Sequence, residues 1–411
     1  MRPVTVSTLA LLLVATAAIP VGSTTLAPAQ QSSPQFDEPS PVIAPVENFA
    51  NYAAIPAENV TRTAYGGSTV DVGTAIAADA ARLRSDYRTT AFEDQFYGTQ
   101  STEERNEIVT RNIRLAEERT QELRDRREDA IGDYAADRTS TSSFVRTVAL
   151  VDAEAERIAT TVRRIKEVAR TSSYSLPRSL DTRLENLRGE LEVLHGPVAQ
   201  RATDAIEGDG SIGSIYVESS DSGYTLAMID GDSYHRETYL ADERKPDAAD
   251  QFRESDLYLV NAANRRGVEL YPWVTNDTSP SGQALGETGI YRFRAEYTSG
   301  DLTAYLDGGT TNVFREYQRQ SVNAVPVTNT VTERNETLRV RMDVTYETGP
   351  MNVTLVRNET SEPVDGEVWV DGTYIGSTGD DGTLWLVEPR PGVPLTVRTD
   401  SGGVVNVRVP P

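Results

Sequence analysis

The 411 residues include only two histidines, His195 and His235, and no cysteine. Those counts bound the chemistry. Thiolate nucleophiles, cysteine metal sites and disulfides are excluded, and so are lipid attachment through a thioether and a histidine-rich metal cluster. Any Ser-His-Asp arrangement must use one of the two imidazoles. His235 lies in Asp230-Gly-Asp-Ser-Tyr-His-Arg-Glu237, close in sequence to Ser233, Asp230 and Asp232. Triad members, however, converge through a fold and not along one turn. His195 precedes Gly196-Pro197 and reads as a local cap at a helix end or kink. No catalytic, cofactor-binding or metal-ligating residue is assigned on these grounds.

Three further patterns have bland explanations. Gly208-Asp-Gly-Ser-Ile-Gly213 has dinucleotide-loop spacing but leaves a helical pattern and enters a strand-like one, the reverse of the order that cradles a pyrophosphate. The turns Asp230-Gly-Asp232, Asp307-Gly-Gly309 and Asp380-Asp-Gly382 offer oxygen ligands for calcium, yet ordinary turn chemistry accounts for each. Of the three tryptophans, Trp273 follows Tyr271-Pro272, whereas Trp369 and Trp385 alternate with aliphatic residues. Exposed, they would offer stacking platforms for sugars; core packing is the expectation.

The elements that must position these groups follow from periodicity. Ser101-Thr-Glu-Glu104 is a capping box that opens a long helix, with Val109, Ile113, Ala116, Thr120, Leu123, Ala130 and Tyr134 on one face. A strict heptad seam comes next: Phe144, Val148, Val151, Ala155, Ile158, Val162, Ile165 and Ala169. Leu180, Leu184, Leu187, Leu191, Leu194 and Val198 repeat it on a third long helix. With a shorter helix near Ala75 to Leu83, these predict an antiparallel bundle with coiled-coil-like seams over 72–208, suited to dock a protein partner. Residues 209–333 read as a mainly antiparallel β domain, with a hairpin turning at Ser299-Gly300, a strand over 255–260 and a brief helix over 246–253. Residues 334–411 carry short alternating strands and predict a β-sandwich. The fold class is therefore multidomain α plus β.

Residues 30–60 are rich in Pro, Ser, Gln and Ala, and 30–71 reads as a disordered lead-in. Before them, Arg2 and the uncharged run from Pro3 to Gly22 form a secretory leader over 1–29, with cleavage after Ala29 in Ala27-Pro-Ala29. A retained N-terminal anchor is the competing reading, and only then would the chain contact a membrane. Asn59, Asn276, Asn335, Asn352 and Asn358 stand in Asn-x-Ser/Thr acceptors, as exported glycoproteins use.

Charge points to habitat. Acidic residues number 62 and basic ones 40, a net charge of −22, and Lys166 and Lys245 are the only lysines. Strong brine shrinks the Debye length to about 3 Å, which screens such a surface. That acidity excludes nucleic acid as a partner class. The surplus lies outside the helices, since residues 102–207 hold 21 acids against 18 bases.

Glu362-Pro-Val-Asp-Gly-Glu-Val-Trp-Val-Asp-Gly372, with Ser377-Thr-Gly-Asp-Asp-Gly382, resembles the carboxypeptidase-regulatory-like, or transthyretin-like, sandwich modules. The resemblance implies an accessory module that supports folding, spacing or binding. Ile55-Pro-Ala-Glu-Asn-Val-Thr61 and Gly223-Tyr-Thr-Leu-Ala-Met-Ile-Asp230 resemble a family of exported haloarchaeal proteins of unknown function. That likeness implies architecture and compartment and brings no active site. The sequence thus points to a non-enzymatic exported or cell-envelope protein of a halophile, with a docking bundle and β modules for partner or surface binding. The alternative is an extracellular hydrolase with its site in 209–333. Oligomeric state stays open.

Overall fold

A computed structural model of the chain describes residues 36, 42–46, 51–67, 72–171, 174–208, 213–255, 257–275 and 279–410. The expected leader with its expected cleavage point after Ala29, the expected acceptor Asn276 and the middle of the 208–213 glycine string lie outside the described residues. A short pair, β1 (Ile43–Ala44) and β2 (Tyr52–Ala53), precedes strand β3 (Arg62–Gly66). Helices α1 (Val72–Gly98), α2 (Thr102–Ala135), α3 (Thr141–Thr171), α4 (Arg178–Glu192) and α5 (Pro197–Glu207) follow. The chain then forms β4 (Ile215–Ser219), β5 (Gly223–Asp230), β6 (Ser233–Leu240), α6 (Leu259–Leu270), β7 (Ser281–Ala284), β8 (Ile290–Tyr297), β9 (Gly300–Asp307) and β10 (Val313–Ser321). The last region comprises β11 (Asn329–Arg334), β12 (Leu338–Val344), β13 (Pro350–Arg357), β14 (Glu367–Val370), β15 (Thr373–Ser377), β16 (Thr383–Val387), β17 (Pro394–Arg398) and β18 (Val404–Arg408).

Strand β3 changes the domain picture. It pairs with β4 at the edge of an eight-stranded antiparallel sheet ordered β3-β4-β5-β6-β10-β9-β8-β7. Residues 62–66, expected to be lead-in, are therefore part of the sheet. The five helices sit between two neighbouring strands, as one long insertion in a β3–β4 connection. Tyr65 explains why this stretch orders: its ring packs edge-on against Tyr216 at 5.3 Å and its hydroxyl donates to the Val387 carbonyl.

The bundle follows its seams. Phe144, Val148, Val151, Ala155, Val162, Ile165 and Ala169 are all buried on α3. Ser101 caps α2, its hydroxyl oxygen accepting from the Glu104 amide at 3.3 Å. The reciprocal half of the expected capping box is replaced: Thr99 donates to the Glu104 carboxylate and accepts from the Ser101 amide. The third long helix breaks at Gly196-Pro197 into α4 and α5, because proline lacks the amide an uninterrupted helix needs.

Two expectations for the middle region fail. Leu259 and Val260 begin α6 and not a strand, and residues 246–253 form turns and no helix. Tyr258-Leu-Val260 is β-rich locally, but the apolar face of α6, with Ala262, Ala263 and Leu270, packs against Phe293 and Leu302 of the sheet. The expected hairpin at Ser299-Gly300 is present between β8 and β9.

Both faces of the central sheet are covered. One packs on the bundle through Tyr134, Phe144, Val148, Ile215, Val217, Tyr224 and Leu226, with Tyr134 and Phe144 stacked at 4.6 Å. The other meets α6 on one half and the C-terminal β-sandwich on the other half. That sandwich consists of the sheets β11-β12-β13-β16 and β15-β14-β17-β18. It starts at Asn329, since β11 pairs with β12, where the sequence pattern suggested 334.

Helix α6 crosses the sheet at Gly267, where an added Cβ would enter the Phe293 ring. Gly267→Ala should therefore destabilise the protein by roughly 1–3 kcal/mol by overpacking. Helix propensity alone predicts a gain of about 1 kcal/mol. Urea unfolding of the two proteins distinguishes the signs.

Candidate functional site

The charged groups that the fold gathers lie on the two central strands. Arg236-Glu237 on β6 and Arg315-Glu316 on β10 are all almost fully buried. Side chains alternate along a strand, so each Arg-Glu dipeptide sends one charge to each face. The result is one ion pair per face, Arg315 with Glu237 towards the bundle at 3.4 Å and Arg236 with Glu316 on the opposite face at 3.3 Å.

On the bundle face Glu237 supplies the cap that α5 lacks. Gly196, at the N-cap position, has no side chain, and Glu237 Oε2 accepts from the amides of Val198 at 3.1 Å and Ala199 at 3.3 Å. The carboxylate approaches so closely that a Cβ on residue 196 would collide with it. Arg315 donates to the hydroxyl of Tyr224 at 2.8 Å and to the carbonyl of His195 at 2.9 Å. Tyr317 also donates to that carbonyl. Burial, together with the Asp152 carboxylate, holds the Glu237 pKa above the ordinary carboxyl value, against the opposing pull of Arg315 and the two amides. These donors and the positive end of α5 favour the ionised form.

On the opposite face Glu316 accepts from the Ala53 amide at 2.8 Å and from the Tyr271 hydroxyl. Arg236 lies over the Tyr52 ring, 4.7 Å from its centroid. Gln318 donates to the Asn51 carbonyl, Gln320 donates to Gln318, and Tyr346 of the sandwich donates to Gln320 at 2.7 Å. One network thus ties the N-terminal segment, α6 and the sandwich to the sheet.

The two histidines are placed by the α4–α5 break and by β6. His195 Nδ1 lies 3.4 Å from Asp152, whose Oδ1 accepts from the Gly196 amide, so the imidazole stands at the α4–α5 break as expected. His235 is buried on the bundle face beside Arg201, with Nε2 3.3 Å from Nη2. Burial and the charge of Arg201 bring its pKa down to about 4. Asp230 pairs with Arg201, and Ser233 lies at the start of β6 against the end of β10, so the local Ser-His-Asp string is not assembled into a relay.

Each acidic turn has a carboxylate engaged by a protein donor, Asp230 by Arg201. Asp307 accepts from the amides of Lys245 and Thr310, and Asp381 from that of Thr383. Among the described residues no three His, Asp or Glu side chains converge as a metal site. An open groove of about 990 Å³ runs along the ends of β8, β9 and β10, with Arg294, Glu296, Asp301 and Arg319 on its walls. Within it Arg319 pairs with Asp301 at 2.7 Å.

Trp273 packs edge-on against Tyr297 at 4.5 Å, and Trp385 lies half-buried against the sandwich core. Trp369 corrects its core expectation. Val368 and Val370 take the inner face of β14, so Trp369 faces outward beside Tyr374, with the Arg398 guanidinium 5.2 Å from its ring centroid. Among the acceptors, Asn59 is exposed. Asn335 donates to the Val404 carbonyl, Asn358 donates to the Asn335 carbonyl, and Asn352 accepts from the Thr354 hydroxyl.

Comparison with known proteins places this arrangement. Residues 1–211 match the model of a domain of unknown function, DUF7096. The chain belongs to that family. In this DUF7096 protein residues 215–326 further match a family of unknown function, DUF7094, and residues 329–406 match an archaeal fibronectin-III type-like domain. No curated protein and no solved structure matches the chain. The DUF7096 match ends beyond the bundle and includes β3, whose pairing partner β4 opens the DUF7094 match.

The buried Arg-Glu dipeptides escaped sequence reading, which left both β6 and β10 unassigned. Their signal is the repeated Arg-Glu-x-Tyr or Arg-Glu-Tyr string inside windows of strand length, at 236–239 and 315–317.

Two measurements follow. Arg315→Met leaves Glu237 without its guanidinium in a dry site, and should cost about 3–5 kcal/mol in chemical denaturation. Glu388, 4% exposed between sheet and sandwich, has a carboxyl oxygen with no hydrogen bond, and burial together with Glu347 raises its pKa to about 8. The folded state holds this proton more tightly than the unfolded chain, so Glu388 makes stability fall as pH rises from the ordinary carboxyl range through 8. Glu388→Gln should flatten that decline and stabilise the protein by roughly 1–3 kcal/mol at the alkaline end, as read from thermal unfolding across pH.

Proposed function

We propose that this DUF7096 protein is a non-enzymatic exported or cell-envelope protein in which a rigid three-layer body presents a helical bundle and a fibronectin-III-type module for contact with other molecules. The observation that carries the reading is where the buried charge goes. Arg236, Glu237, Arg315 and Glu316 hold one layer to the next, through α5, Ala53, Tyr271 and Tyr346. A hydrolytic site would need such groups to converge on an open cleft. Export is supported by the leader-like first 29 residues and by an acidic, lysine-poor composition suited to brine. The bundle and the outward Trp369–Tyr374 pair are the surfaces offered for contact.

Mass spectrometry of the mature protein from culture medium and membrane fractions tests the proposal. The expected product begins at Gln30 and carries any glycan at Asn59 before Asn335 or Asn358, whose side-chain amides are engaged. Unmodified full-length protein in the cytosol overturns the export reading. Hydrolysis of a polysaccharide or peptide by the purified chain, abolished by Asp301→Asn, overturns the non-enzymatic one.

A further inference from the structure

The bundle is left with one apolar stripe uncovered. On α1 Ile76, Leu83 and Tyr87 are 64%, 65% and 76% exposed, and Ala80 lies between them. Their spacing of four, three and four residues is that of a coiled-coil seam. Helix α1 thus carries two apolar faces. Phe92 and Phe96 belong to the bundle core, while the 76-80-83-87 stripe points away from it.

Beside the stripe the bundle is incomplete. A groove of about 560 Å³ opens between α1 and α2 and is floored by α3. Tyr87 and the 45% exposed Leu115 stand on its walls, and Ile158 lies in its floor. Ile158 is only half-buried, whereas the other α3 seam residues are buried.

Charge identifies the occupant. Asp79 and Asp86 run along one edge of the stripe seven residues apart, whereas Glu93, a further seven on, pairs with Arg164 of α3; Arg84 lies on the other edge, next to the groove wall that holds Arg88. In a parallel coiled-coil pair the position preceding one core residue faces the position following the next core residue on the partner, so Asp79 of one chain meets Arg84 of the other. An antiparallel pair would set acid against acid. Arg84 makes no ion pair among the described residues, and Asp79 holds only the exposed Arg82, at 2.9 Å.

We propose that α1 is a dimerisation helix, and that its stripe packs against the same stripe of a second copy of this chain about a two-fold axis parallel to the helices. The paired helix lies over the mouth of the α1–α2 groove and covers Tyr87 and Leu115. Apolar contacts carry the interface, so multimolar salt strengthens it while weakening the flanking ion pairs. The inference deepens the docking role proposed for the bundle by naming its partner.

The absence of cysteine supplies a direct test on the full chain. In a parallel in-register pair Leu83 faces Leu83 of the second copy, close enough for a disulfide. Leu83→Cys should oxidise to a covalent dimer, while Arg111→Cys, on the far wall of the groove, should not. By light scattering in concentrated salt the wild type should have the mass of a dimer. Tyr87→Glu should raise the dissociation constant roughly a hundredfold, as for loss of an interface anchor. Arg84→Asp should weaken the dimer, and adding Asp79→Arg should restore it. Circular dichroism on each variant checks that α1 stays folded. A monomeric wild type, or a dimer that folded Tyr87→Glu leaves unchanged, overturns the inference. Either result leaves export and the non-enzymatic reading to the mass spectrometry and hydrolysis assays.

Discussion

Four charges buried in the middle of a sheet are the constraint on which the rest of this structure depends. A guanidinium or carboxylate taken out of water costs several kcal/mol unless its partners replace the lost hydration. Strands β6 and β10 cannot supply all those partners themselves. Glu237 therefore needs the bare amides at the start of α5, Glu316 needs the Ala53 amide and the Tyr271 hydroxyl, and Arg315 needs the His195 carbonyl. Each requirement draws a different segment onto the sheet. The ion pairs thus act as a specification of which layers must dock, and apolar contacts around them supply the favourable free energy.

The same requirement explains why modules that look separable along the chain behave as one body. The described residues from Phe36 onward form a single compact unit. The bundle departs from the sheet after β3 and returns to it at β4, so its two ends are held a strand spacing apart. Guanidinium contacts reinforce the join. Arg127 stacks on Tyr239 at 3.6 Å, Arg244 grips Glu190 through two bonds, and on the opposite face Arg390 of the sandwich grips Glu218 in the same way. Arginine suits such joints because its planar fork meets a carboxylate with two parallel bonds, which a lysine cannot do. The near absence of lysine, which suggested habitat, thus also has a structural side.

Local pattern was a good guide wherever one face of an element meets a uniform apolar surface. The α3 seam, the strict alternation of Leu338 to Val344 and the β8–β9 hairpin were all legible for that reason. It misled where the environment is not uniform. Strands β6 and β10 carry charge towards both faces, so no hydrophobic alternation marks them. Helix α6 has a β-rich start and forms because the sheet needs cover on that half. Trp369 sits in a strand of buried valines but on the opposite parity, which leaves it half-buried on the outer face.

Composition and periodicity by themselves determined the chain's class: an acidic, cysteine-free protein with a seamed helical bundle followed by antiparallel β structure. These are properties of single residues and of neighbours within a few turns, which the unfolded chain already carries. Only the tertiary structure decided that the bundle is an insertion between paired strands and that residues 62–66 belong to the sheet. It alone decided that His235 is locked beneath α5, and that the charges of 236–237 and 315–316 face two different layers. Those outcomes depend on partners far away in sequence, because a buried charge is stable only where another segment brings the opposite charge or an unpaired amide to it.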